Sequence, residues 1–300
     1  DNEGVQVKEV RATYDEGELT ASMKIEGSDY ELQLQGSSWP ISEKLVYLLP
    51  ENASSSLYKS WQFLEPTGQL DARIHMNHKD GKSSLYLEAV PVILRVSSDG
   101  ESVAMHRELG EIIVDNSAVF LNDLTFTLNQ NHVEQGSVKF QGSILVVGDT
   151  SEYDINARWD DAVASSPLSR AITGIIGGGL AVGYYDAMSP GGRGLLTLET
   201  VKNDEDQYYE VIVVPENLTA TFNERVAHAQ FITEESHTQS QIVFDNSGIQ
   251  CNNLGGKLGK GDFSLDGKIH TTDSVHGTFQ LDWDGPADDE SLFAVLPSIV

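Results

Sequence analysis

Paired histidines offer the first chemistry to weigh. His75-Met-Asn-His78 has the spacing that sets two imidazoles on one side of a helix, where they can share a transition metal. The residues around it, however, alternate apolar and polar with period two, which is a strand pattern. Positions three apart on a strand point to opposite faces, so these histidines are expected to face solvent rather than a metal. Ser56-Leu-Tyr-Lys59 matches the Ser-x-x-Lys of serine acyl-transfer enzymes, yet no Ser-Asp-Asn or Lys-Thr-Gly accompanies it. Gly255-Gly-Lys-Leu-Gly-Lys-Gly261 has the composition of a phosphate-binding loop without its Gly-Lys-Ser/Thr order, and it falls between strands, where no helix N-terminus can receive phosphate. The acidic runs Asp288-Asp-Glu290 and Asp160-Asp161 lack the alternating ligand spacing of a calcium loop. Asn52-Ala-Ser54 and Asn217-Leu-Thr219 fit the glycosylation sequon, which a chain of this size produces by accident. The residues therefore predict no catalytic set, no metal and no cofactor, and a protein that is not an enzyme.

Charge narrows the partners. There are 46 acidic against 19 basic residues, a formal net charge of −27, and such a field repels polyanions. Direct nucleic-acid binding needs a basic footprint and is excluded on this ground, as is purely electrostatic attachment to anionic lipid. The lone Cys251 cannot form an internal disulfide and reads as a buried small apolar residue.

The elements that position these residues read as one-sided strands. Leu70, Ala72, Ile74 and Met76 alternate with Asp71, Arg73, His75 and Asn77; Leu124, Phe126 and Leu128 alternate with Thr125 and Thr127. Val138 and Phe140, Phe263 and Leu265, Ile155 to Trp159, and Phe279 to Trp283 follow the same rule. Turn residues separate them at Asp80-Gly81, Asp99-Gly100, Asn246-Ser-Gly248 and Asp266-Gly267, which predicts an antiparallel meander. Helices are expected at two joints, around Leu57, Trp61 and Leu64, and across the glycine-rich Ile172 to Gly183, the latter packed over the end of a sheet. Pro66-Thr-Gly68 and Pro190-Gly-Gly192 read as turns that launch a strand.

The chain also repeats itself. A shift of about 124 positions lays Trp61 on Tyr185, Pro66 on Pro190, Gly68 on Gly192, Trp159 on Trp283 and Asp160 on Asp284. One further residue aligns Gly136 with Gly261 and Gly142 with Gly267. The expected organisation is residues 1–39 as the tail of a preceding copy, 40–164 as repeat one, 165–288 as repeat two, and 289–300 as the start of another, the whole being an internal piece of a longer array.

Leu64-Glu-Pro66-Thr-Gly68, Met188-Ser-Pro190-Gly-Gly192, the two Gly-to-Gly strands and the Trp159 and Trp283 strand ends together resemble the AsmA-like repeat proteins of bacterial envelopes, a repeating β-groove family. The resemblance implies an all-β fold: an elongated, twisted antiparallel sheet curled into a trough, its repeats joined by short helices. It implies a periplasmic segment of a cell-envelope protein, anchored to the inner membrane through a segment elsewhere in the parent chain. The implied partner is a phospholipid or other acyl lipid, held without catalysis along a groove. Candidate groove residues are Leu70, Ile74, Met76, Leu124, Phe126, Leu128, Val138, Phe140, Leu196, Leu198, Phe263, Leu265, Phe279 and Leu281. The alternative is a structural or adhesive β-repeat array whose apolar side is closed by protein. A carbohydrate-active enzyme would need paired carboxylates in an aromatic-lined cleft, a pattern the strands do not carry.

Overall fold

A computed structural model describes residues 4–14, 17–42, 65–98, 100–147, 150–203, 206–222, 227–232, 240–270, 276–286 and 290. The protein is all-β and antiparallel, with one long helix among the described residues. It divides into two compact units: Asp1–Glu134 with Lys139–Ile155 and Lys202–Asp206, and Gln135–Val138 with Asn156–Val201 and Gln207–Val300. The Ser56–Lys59 stretch, the Asn52 sequon, the helix expected around Trp61, and Asp288-Asp289 lie outside the described residues.

The first unit is a meander of β1 (Val5–Tyr14), β2 (Gly17–Glu26), β3 (Asp29–Ile41), β4 (Thr67–Lys79), β5 (Lys82–Ser98), β6 (Glu101–Asp115) and β7 (Ala118–Gln130), each antiparallel to the next. Tight turns set the register. Asp80 and Gly81 take φ of 52° and 74°, the left-handed pair that a two-residue hairpin requires. With register fixed, apolar residues line up across strands: Ala21, Leu34, Ile74, Leu87, Val114 and Val119 form one row, and Met23, Leu32, Met76 and Leu85 another.

These rows survive a line of irregularities. Register shifts occur between Val7 and Val10, Gly36 and Trp39, Gln69 and Leu70, Ala89 and Ile93, and at Leu109 on β6. Each bulge inserts residues that keep apolar side chains on one side, as from Leu121 to Leu124 across Asp123, whose φ is 47°. Pro91, unexpected inside a strand, lies in the interval where the β5–β6 register breaks, which is where a strand tolerates a residue lacking N–H. Gly68 is part of β4 rather than a turn residue. A Cβ there would sit 2.1 Å from the Ile93 carbonyl oxygen, so glycine is required by the approach of β5. Gly192 is held likewise against Asn217. Gly267, also expected in a turn, lies within a strand under the Phe279 ring.

β8 (Val133–Val147) and β9 (Thr150–Val163) contribute to both units. Within the second, Trp159 is 1 % exposed and its indole Nε1 donates to the Gln135 carbonyl at 2.8 Å. The helix α1 (Pro167–Met188) follows, then β10 (Arg193–Asn203), β11 (Asp206–Pro215), β12 (Asn217–Phe222), β13 (Ala227–Ile232), β14 (Gln241–Asp245), β15 (Gly248–Leu258), β16 (Gly261–His270) and β17 (His276–Asp284). β11 pairs with β14, so β12 and β13 form a hairpin set between them in sequence, and β14 to β17 continue as a meander.

Ser166 caps α1, its hydroxyl oxygen accepting from the Ser169 N–H at 3.1 Å, and Pro167 opens the first turn. Arg170 pairs with Asp186 at 2.9 Å. Sixteen residues of straight helix would separate them by about 24 Å, more than the two side chains can span. The helix is therefore folded back on itself rather than laid as a straight rod. The bend falls between these two residues. Tyr185, half-buried in the last turn, donates its hydroxyl to the Ala164 carbonyl and ties the returning arm to the exit of β9. Burial raises its phenol above the ordinary range, so it stays a donor at any physiological pH.

Candidate functional site

A sheet of alternating strands must cover or use its apolar side. The structure separates the expected groove residues by accessibility. Ile74, Leu124, Phe126, Leu128, Val138 and Phe263 are buried, with Leu128 at 0 % and Phe126 at 2 % exposure. Leu70, Met76, Phe140, Leu196, Leu198, Leu265, Phe279 and Leu281 are half-buried and retain surface that another molecule can touch. In the first unit, Phe126 meets Phe140 edge to face at 6.3 Å between ring centroids. In the second, Phe263 and Leu258 form a small core with Phe231, Leu265, Leu281 and Trp283 packed on it. Phe231 and Phe263 make the same edge-to-face contact at 5.5 Å.

A half-buried apolar surface lies on β2 to β5. Leu32, Leu34, Met76, Leu85 and Leu87 are all half-buried and stand in the two rows described above. One residue of this side escapes a reading by apolar pattern. Arg107 follows Val103 and Met105 at the same parity on β6 and is paired across to Phe126. Its spacing was the available signal, since Val103, Met105 and Arg107 alternate with Ala104 and His106.

The opposite side is polar. An open cleft of about 480 Å³ there is lined by Thr20, Gln33, Gln35, Arg73, His75 and Glu88, among others. Two of its side chains are tied to carboxylates: Arg73 to Glu88 at 3.5 Å, and His75 Nε2 to Glu31 at 3.2 Å. The Gln33 amide, and after it His75, hold the Glu31 carboxyl below its ordinary range, so it is ionised at neutral pH and has no proton to give. His78 is on the other side, stacked on Tyr30 at 5.5 Å, as strand geometry requires of positions 75 and 78. Among the described residues no three His, Cys, Asp or Glu side chains converge on a metal position. Gly255–Leu258 belong to β15, and the glycine-rich run closes on β16 through the turn Gly259-Lys260.

Cys251 is half-buried, and burial, followed by the nearby Asp266 charge, pushes its thiol up to about 11, which leaves it unreactive at neutral pH. No described helix is long and apolar enough to cross a membrane. Neither a protein-family model, nor a curated protein, nor a solved structure matches the chain.

Proposed function

We propose that this chain is a non-enzymatic lipid-binding segment of an AsmA-like envelope protein, holding acyl chains of a phospholipid or similar lipid on the apolar side of its sheet. The observation that carries the reading is the in-register, half-exposed apolar surface of β2 to β5, in which Leu32, Leu34, Met76, Leu85 and Leu87 form continuous rows. Such rows match the shape of an acyl chain, and each Å² they bury contributes roughly 25 cal/mol. The line of bulges across β1 and β3 to β7 supports a curled sheet, because bulges increase local twist and bend a strand.

Two turns with the same hydrogen bonds, 130 positions apart, support the tandem-repeat reading. Asp115 accepts from the N–H groups of Ser117 and Ala118, and Asp245 from those of Ser247 and Gly248. Next to each, Asn116 and Asn246 accept the N–H of Leu85 and Tyr209 from the neighbouring strand. Periplasmic placement, and an inner-membrane anchor elsewhere in the parent chain, follow from the same family reading.

A closed structural array is the second reading, and the complete burial of Leu128 and Val103 favours it for the β5–β7 end. The experiment is mass spectrometry of lipid bound to protein purified without detergent. Wild type carries acyl lipid, and Met76→Glu, at a half-buried position, lowers it roughly ten-fold while the protein stays folded. A lipid-free wild type, or a Met76→Glu protein that unfolds, decides for the closed array.

A further inference from the structure

The polar side of β2 to β5 is ordered in the same way as the apolar side. Its side chains stand in two cross-strand rows: Ser22, Gln33, His75 and Tyr86 in one, and Thr20, Gln35, Arg73 and Glu88 in the other. Neighbours within a row are roughly 5 Å apart, as paired strands require. Together the rows line the open cleft of about 480 Å³, a size that accepts a small ligand. In a chain of net charge −27, a face that meets only water is expected to carry an excess of acid. This cleft is balanced, with Lys8 and Arg73 set against Glu9 and Glu88. It also leaves an aromatic ring bare, since Tyr86 is 44 % exposed on the polar side of β5. Among the described residues, the Gln35 amide and the Ser22 and Thr20 hydroxyls make no side-chain hydrogen bond, so their donors and acceptors stand open to a ligand.

We propose that this cleft binds a neutral oligosaccharide, laid across the strands with one sugar ring packed on Tyr86 and its hydroxyls bonded to Gln35 and the neighbouring row residues. Balanced charge selects an uncharged ligand, and a lining of amides and hydroxyls selects one rich in hydroxyl groups. An amide offers two N–H donors beside a carbonyl acceptor, so one Gln serves adjacent sugar hydroxyls that each donate and accept. The exposed ring supplies the apolar contact that the C–H face of a pyranose needs. The inference does not rest on lipid binding, because these side chains take the opposite side of the strands from Leu34, Met76 and Leu87.

The test titrates the protein calorimetrically with the neutral hexasaccharides of maltose, cellulose and chitin type, and with hexagalacturonate as the charged control. Wild type binds at least one neutral hexasaccharide, and binds hexagalacturonate at least about ten-fold more weakly. Gln35→Ala and Tyr86→Ala each lower the affinity roughly ten-fold, while Tyr86→Phe, which keeps the ring, stays within about two-fold of wild type. Both positions are exposed, so the variants are expected to fold, and circular dichroism checks it. Binding of none of the three neutral sugars overturns the proposal. Equal affinity for hexagalacturonate overturns it too, by showing a plain anion site. If Tyr86→Ala does not fold, Gln35→Ala decides, since an unchanged affinity there places the sugar somewhere other than this cleft.

Discussion

Asp245 shows how much one side chain can organise. Its Oδ1 accepts from the Ser247 N–H at 2.7 Å, the Ser247 hydroxyl at 2.6 Å and the Gly248 N–H at 3.0 Å, which fixes the β14–β15 turn and with it the register of Val243 against Gln250. Burial alone would raise this carboxyl, but the Ser247 and Gly248 bonds and Lys268 together outweigh it, and the net shift is downward. A depressed folded pKa gives stability that is present above the unfolded carboxyl value of about 3.9 and lost as pH falls through the folded one. Asp245→Ala is expected to cost about 1–3 kcal/mol at pH 7 by urea denaturation. The gap between variant and wild type narrows below about pH 4, and a gap independent of pH would show that the ionised form is not what matters. The Asn246-Ser-Gly248 turn could be read directly from residue types. Its twin at Asp115-Asn116-Ser117 lacks the glycine that advertises a turn, so only the hydrogen bonds reveal it.

Strands were legible wherever period two ran unbroken, as from Leu70 to Met76, and less so where a bulge reverses parity. A one-residue insertion makes apolar positions even on one side and odd on the other, so β6 and β7 look irregular in sequence although their apolar sides are continuous. Gly110 marks such a place, with φ of 89° and a hypothetical Cβ only 2.5 Å from the carbonyl oxygens of Asn122 and Asp123. Gly110→Ala is expected to cost roughly 2 kcal/mol or more, from left-handed strain plus the clash. Gly81→Ala, with φ of 74° and nothing within 4 Å, carries the strain alone, about 1 kcal/mol. Equal losses in the two variants, read from denaturation midpoints, would mean that the bulge relaxes around a methyl group. The groove candidates divide for a related reason. Alternation says which side a residue takes, but burial depends on what lies across from it, and no local pattern separates Leu128 from Met76.

At the scale of the chain, composition and periodicity were enough for the class of fold, while the path of the glycine-rich joint was not. Its residues read as an apolar helix of ordinary extent, because an ion pair between positions 170 and 186 has no local signature. That folded-back helix has a topological meaning. The Ala164 N–H donates to the Gly192 carbonyl at 3.1 Å, so the chain leaves and re-enters the sheet at one point. Everything between is an insertion mounted on what is otherwise a β9–β10 hairpin. Replacing residues 166–190 by a four-residue turn shortens the closed loop and recovers about 1.6 kcal/mol of closure entropy, set against the lost packing of Leu168 and Ala171. The shortened protein is expected to keep its strand signal in circular dichroism and the buried fluorescence of Trp159. The strands on either side of the helix are thus joined to one another directly, and the helix is not the element that closes them.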